Sequence, residues 1–190
     1  MIPAVLAAIL LQSPSSAEAE PATYVLDASH SQVLFSYDHL GFSTTYNLFS
    51  GFEGEIQFDP DDPAASSVSV SIPVMSMFTG WEKRLAHFMS EDFFGATEDD
   101  MITFTSTAIE VTGDDTALIT GDLTVNDVTK SVVLDAKLNK SDVHPMANKD
   151  WLGFDATTTL IRSDFDLGRA ASAVSDEVEV QISIEASRAG

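Results

Sequence analysis

The chain has 190 residues, a length that suits one domain, and its 30 acidic against 9 basic residues give a formal net charge of -21 at pH 7. So acidic a surface repels polyanions, which argues against nucleic acid as a partner. The sequence has no cysteine, and this excludes disulfides, thiol catalysis and zinc–cysteine sites.

The N-terminal segment has the pattern of a secretory signal. An apolar run from Ile2 to Leu11 is followed by small polar residues and by Ala17-Glu18-Ala19, an A-x-A cleavage pattern. The run is too short to span a bilayer as a helix. We therefore predict a signal peptide over residues 1–19, one domain over residues 20–190, and export of the protein.

Most of the remaining chain alternates apolar and polar residues with a period of two, which is typical of strands with one buried face. In chain order, the clearest of these segments are YVLDASHSQVLFSYDHLGFST (24–44), FEGEIQFD (52–59), SSVSVSIPV (66–74), LITGDLTV (118–125), SVVLDAKL (131–138) and DEVEVQISIEA (176–186). Only WEKRLAHFMSEDFF differs, with Leu85, Phe88 and Met89 at helical spacing. We predict an all-β antiparallel barrel or sandwich of about eight strands, with one short helix after the fourth-strand region.

Two polar residues share a register with apolar ones. A strand through Phe35 and Tyr37 points His39 to the same side as the aromatic rings, and Arg162 is in phase with Leu160. The interior of an eight-stranded barrel is either filled by side chains or wide enough for one small ligand. Because a buried charge must be compensated, Arg162 needs an acidic partner or a position at a wet opening, where a polar head group reaches it.

Signals for an enzyme are weak. The sequence contains neither G-x-S-x-G nor H-E-x-x-H, and its histidines (His30, His39, His87 and His144) lack the pair spacing of a metal site. We predict a protein that is not an enzyme, with no catalytic residue, metal ligand or cofactor. Two alternatives stay open: a histidine-based enzyme or metal-binding barrel, and a filled barrel that acts as a surface partner of membrane electron-transfer proteins.

A set of motifs in order resembles the YceI-like family. The set comprises YVLDASHSQVLFSYDHLGFST, FEGEIQFDP, TGWEKRLAHFMSEDFF, ITFTST, GDLTVNDVTKSVVL, GFDATTTLIRSDFDLG and DEVEVQISIEA. The resemblance implies a lipocalin-like antiparallel barrel in the bacterial periplasm. It also implies an elongated apolar tunnel that encloses a long-chain amphipathic lipid, such as a polyisoprenoid, an isoprenoid quinone or a fatty-acid derivative. A homodimer is a further open option.

The resemblance assigns a family residue to this chain only at positions where the two sequences match. His30, Ser31, His39, Arg84, His87, Phe93, Phe94 and Arg162 match the family pattern. Leu85 stands where the family usually has Asp, which puts an Arg–Asp pair within the helix in doubt. Asp127 and Asp166 replace glycines at expected turns, where aspartate tolerates a positive φ, so we expect altered loops and an unaltered tunnel.

These observations together give a predicted ligand-binding set. It comprises Phe35, Tyr37, His39, Phe52, Ile56, Phe58, Trp81, Arg84, His87, Phe88, Phe104, Leu123, Phe154, Leu160 and Arg162. Within it, His39 is interpreted as a tunnel-facing residue that either bonds to a neighbour, the favoured role, or donates to a lipid head group. His30 is expected to tie the start of its strand to a neighbouring loop.

Overall fold

The structure is a computed structural model that describes residues 21–190. The predicted signal peptide lies outside the described residues, so its boundary stays a prediction. The strands are β1 (Ala22–Leu26), β2 (Gln32–His39), β3 (Ser43–Phe49), β4 (Glu53–Phe58), β5 (Ser67–Pro73), β6 (Met101–Val111), β7 (Thr116–Val125), β8 (Val128–Val143), β9 (Asp150–Ile161) and β10 (Glu177–Arg188). The helix α1 (Glu82–Phe88) lies between β5 and β6.

The strands close into a barrel. Their order is β1-β4-β5-β6-β7-β8-β9-β10, and β10 pairs with β1, so the ring of eight antiparallel strands has no open edge where these two meet. The first half of β10 pairs instead with β2, whose hairpin partner is β3. The prediction of an antiparallel barrel of about eight strands with one short helix is confirmed, and the sandwich alternative is wrong.

The period of two in the sequence sets which side chains enter the barrel. On β10, Val180 lies opposite Phe35 of β2 and Thr158 of β9, and all three line the interior. One close approach depends on a glycine: a Cβ on Gly121 would lie 2.4 Å from the ring of Phe104, which packs over β7 at that point. Gly121 therefore lets the ring of Phe104 occupy its place on the barrel wall.

The two ends of the barrel differ. Residues 74–100, which include α1, and residues 162–176 together cover one end, here called the helix end. There Phe88 meets the ring of Tyr37 edge-on at 6.3 Å, and Phe94 meets Phe49 at 6.5 Å. The turns 59–66, 112–115 and 144–149 form the opposite end, here called the turn end, as the antiparallel register requires.

The two aspartates at expected turns adopt the predicted backbone conformation. Asp127, with Asn126, forms the two-residue β7–β8 turn, and Asp127 has a φ of 61°. Asp166 ends a short 3-10 turn with a φ of 58°. Both lie outside the barrel wall, as expected for changes that affect loops.

Candidate functional site

An apolar cavity of about 1150 Å³ runs through the barrel interior. Every strand except β1 contributes to its lining, and the side chains that face it are mainly aliphatic and aromatic. Its volume lies above the range of about 300–1,000 Å³ that is usual for drug-sized ligands. The barrel is therefore hollow, which leaves room for a ligand larger than most metabolites.

Every residue of the predicted ligand-binding set lies on the lining of this cavity. That set is Phe35, Tyr37, His39, Phe52, Ile56, Phe58, Trp81, Arg84, His87, Phe88, Phe104, Leu123, Phe154, Leu160 and Arg162. Strand parity places the members of the set that lie on strands, and Trp81, Arg84, His87 and Phe88 reach the lining from the helical segment. Contact with a ligand stays a prediction. The set missed the inward face of β10, which alternation in the sequence could have identified: Val178, Val180, Ile182 and Ile184.

Aromatic rings stiffen the cavity wall through pairwise contacts. Phe35 stacks on Phe49 with ring centroids 5.2 Å apart, and Phe58 meets Phe154 edge-on at 6.3 Å. Such pairs contribute about 0.5–1.5 kcal/mol beyond the area that they bury. The wall is thus held in shape by contacts that do not require a ligand.

Arg162 is held by backbone carbonyl groups. Its guanidinium donates to the carbonyl oxygens of Ser175 (2.8 Å), Arg169 (2.9 Å) and Val174 (3.0 Å), and also to that of Leu167. The sequence predicted an acidic partner or a wet opening where a head group reaches Arg162. Within residues 21–190 Arg162 makes no ion pair, although its charge helps to lower the pKa of Asp176, and contact with a head group stays a prediction. The guanidinium fixes the segment that follows β9, and this segment forms part of the helix end.

His39 ends β2 at the cavity opening, and its backbone bridges to Val174. Within residues 21–190 its imidazole makes no hydrogen bond, so the favoured interpretation, a bond to a neighbour, is wrong. The side chain is exposed. His39 is therefore available to a polar group at the helix end.

An ionic link joins the two segments that cover the helix end. Asp92 accepts from His87 Nε2 at 3.3 Å and forms an ion pair with Arg169, which lies 77 residues further along the chain. The ring of His87 also meets Phe93 edge-on at 5.0 Å. Asp92 thus connects α1 to the segment that Arg162 holds.

A second polar cluster lies on the outer surface, beside β10. His30 Nδ1 lies 2.7 Å from Asp27 Oδ2, and this hydrogen bond raises the pKa of His30 and lowers the pKa of Asp27. The expected link from His30 to a neighbouring loop is wrong, because its partner lies in its own turn. It is Ser31 that ties this turn to β10, through the backbone of Glu185.

This outer cluster is the group of described residues whose geometry could hold a metal ion. The candidate ligand atoms of Asp27, His30 and Glu185 lie within 4.8 Å of one another. Part of the capacity of these carboxylates to bind a metal ion is already used by hydrogen bonds, because Glu185 also accepts from Trp151 Nε1 at 2.7 Å.

Of the helices in residues 21–190, none has the length and apolar character needed to cross a membrane.

Comparison with known proteins identifies the family. The model of the YceI-like domain matches residues 24–186. A UPF0312 protein of Ectopseudomonas mendocina (strain ymp) is 39% identical over 191 residues, covering 99% of this chain and 100% of its own.

Two solved structures share the fold. BcnA of Burkholderia cenocepacia has a TM-score of 0.75 at 24% identity, covering 84% of this chain and 98% of its own. A polyisoprenoid binding domain from Saccharophagus degradans has a TM-score of 0.70 at 14% identity, covering 90% of this chain and 100% of its own. Because the family match spans nearly all of the described residues, the chain belongs to the YceI-like domain family.

Proposed function

We propose that this protein is a periplasmic binding protein without catalytic activity, which encloses a long-chain amphipathic lipid in the barrel. The candidate ligands are a polyisoprenoid, an isoprenoid quinone or a fatty-acid derivative. The observation that carries the proposal is the apolar cavity of about 1150 Å³ inside a closed barrel. The Saccharophagus degradans domain, described as polyisoprenoid binding, supports the same ligand class.

The energetics of an apolar tail agree with this proposal. Each buried methylene contributes about 0.8 kcal/mol, so a sixteen-carbon tail contributes about 12 kcal/mol in total. Association costs about 4–15 kcal/mol in lost translational and rotational freedom, before losses in chain flexibility. A long tail is therefore needed for tight binding, and the cavity along the barrel has room for such a tail.

The enzyme alternative has less support. It requires polar groups that converge on a reacting atom, and in the described part of the chain the His39 imidazole has no polar partner. The pair formed by His87 and Asp92 is exposed, with side chains 56% and 41% accessible, and Asp92 is shared with Arg169. We therefore assign this pair to holding the helix end together.

Native mass spectrometry of protein purified from its own periplasm, followed by organic extraction, tests the proposal. We expect a stoichiometric adduct with the mass of a long-chain lipid. A protein that carries only a metal ion, or no adduct, would overturn the proposal.

A pair of neighbouring variants makes the test specific to the cavity. Ala156 lines the cavity between β8 and β10, whereas Thr157 next to it is exposed on the outside. We expect Ala156→Phe to reduce the amount of co-purified lipid and Thr157→Phe to leave it unchanged. Equal lipid content in the two variants would place the lipid outside the barrel.

A further inference from the structure

The charged residues that line the cavity are segregated. Its cationic lining residues come from the segments that cover the helix end: Lys83, Arg84, Arg162 and Arg169. These are four of the nine basic residues in a chain whose net charge is -21. The carboxylates on the lining lie elsewhere, in the β6–β7 turn (Asp114 and Asp115) and on β9 (Asp155, bonded to Ser183). The cavity is thus positive at its helix end.

Two of the four cations remain uncompensated. The guanidinium of Arg162 donates to backbone carbonyl oxygens, and Arg169 forms an ion pair with Asp92. Lys83 makes no ion pair or side-chain hydrogen bond within residues 21–190. Arg84 is half-buried and donates to the carbonyl oxygen of Thr79 at 3.0 Å, which leaves most of its N–H groups unused.

No carboxylate of α1 pairs with Arg84. Glu82, the acidic residue of the helix, makes no ion pair within residues 21–190, and Leu85, at the position where the family pattern has Asp, packs against the apolar core. A guanidinium that is half-buried and has no anionic partner is well suited to bind an oxyanion, because its planar fork matches two oxygen atoms at once.

We propose that the enclosed lipid has an anionic oxyacid head group, a carboxylate or a phosphate, and that Lys83 and Arg84 bind this group at the helix end. The tail then extends through the barrel towards the turn end. This inference rests on the proposed lipid-binding function and specifies the class of its ligand. It gives α1 a role in ligand selection in addition to covering the barrel.

Calorimetric titration of the delipidated protein with four sixteen-carbon ligands tests the inference. The ligands are hexadecanoate, hexadecyl phosphate, hexadecanol and hexadecyltrimethylammonium, each below its micellar concentration. We expect at least one of the two anions to bind about tenfold more tightly than the alcohol, as expected for a charge-assisted hydrogen bond, and the cation to bind least. The tighter of the two anions identifies the head group as a carboxylate or a phosphate.

Variants then locate the head group. We expect Lys83→Gln to weaken binding of the preferred anion about threefold, and the double variant Lys83→Gln/Arg84→Gln to weaken it about tenfold or more. Binding of hexadecanol should stay within about twofold, since the tail contacts are unchanged. The matched control is Lys149→Gln, which removes one exposed charge at the turn end and should affect neither ligand.

The outcomes separate the two proposals. If hexadecanol binds as tightly as both anions, or if the double variant weakens anion and alcohol equally, the head-group inference is wrong and lipid binding stands. If none of the four ligands binds, the head-group inference is wrong as well, and the lipid-binding proposal is decided by native mass spectrometry alone. Lys83→Gln keeps the test valid should the double variant fold poorly, because the side chain of Lys83 is exposed.

Discussion

Replacing Arg162 by methionine removes the guanidinium that donates to four backbone carbonyl oxygens between residues 167 and 175. Hydrogen bonds from a charged donor contribute about 1.5–3 kcal/mol each, but the bond to Arg169 is exposed and the other three are only partly buried. Taking about 1 kcal/mol per bond, we expect the free energy of unfolding to fall by about 4 kcal/mol. For a domain of this size, that corresponds to a decrease of about 8–16 °C in Tm.

Urea unfolding followed by circular dichroism measures this change. The control is Arg188→Met, which breaks an exposed ion pair to Asp150 at 2.9 Å and should reduce the free energy of unfolding by about 0.2–1 kcal/mol. We also expect Arg162→Met to weaken binding of a lipid with a head group and of a bare hydrocarbon equally, because backbone carbonyls already take up four of the five N–H donors of Arg162. If Arg162→Met is no more destabilising than Arg188→Met, the assigned structural role is refuted.

Three further predictions follow from individual contacts. His30→Ala should reduce the free energy of unfolding more at about pH 5.5 than at about pH 8.5, because Asp27 raises the pKa of His30. The stabilisation from this pair is fully present below the usual histidine pKa of about 6.5, and it is lost as the pH rises through the raised pKa. Equal losses at the two pH values in urea unfolding would contradict this. Gly121→Ala should reduce the free energy of unfolding by about 1–3 kcal/mol, since its Cβ would lie 2.4 Å from a phenylalanine ring of β6, whereas Gly153→Ala, with no atom within 4 Å, should be tolerated. Asn47→Leu should raise the free energy of unfolding of the delipidated protein by about 1–2 kcal/mol, because both polar atoms of the Asn47 amide are buried and make no hydrogen bond in the described chain. A lower free energy of unfolding would show that the amide has a partner.

Strand alternation explains why the interior could be predicted. Successive side chains on a strand point to opposite faces, so once Phe35 is placed inside, Tyr37 and His39 follow. The same rule places Phe154 and Leu160 inside on β9. For the strand residues of the predicted set only residue types and spacing are needed, whereas Arg84 and His87 were placed through the resemblance to the family; all of them lie on the cavity lining.

The polar contacts of the helix end could not be predicted in the same way. Arg162 is held by main-chain carbonyls, which every residue carries and which therefore leave no trace in the sequence. Asp92 and Arg169 meet only because the barrel brings together two segments that lie 77 residues apart. For the same reason no pattern in the sequence predicts that Lys83 and Arg169 line one cavity with Arg84.

The charge distribution reconciles an acidic protein with an anionic ligand. Exposed charges further apart than about 8 Å are largely screened at physiological ionic strength, so the overall charge of -21 acts weakly on a head group that has reached the helix end. Lys83 and Arg84 line the cavity at that end without an ion pair in the described chain, and part of their surroundings is apolar protein, which screens less than water. The acidic exterior thus opposes association with anionic surfaces at long range, while the cavity end favours one anionic head group at short range. The two effects act on different partners, and selection of the ligand depends on the short-range one.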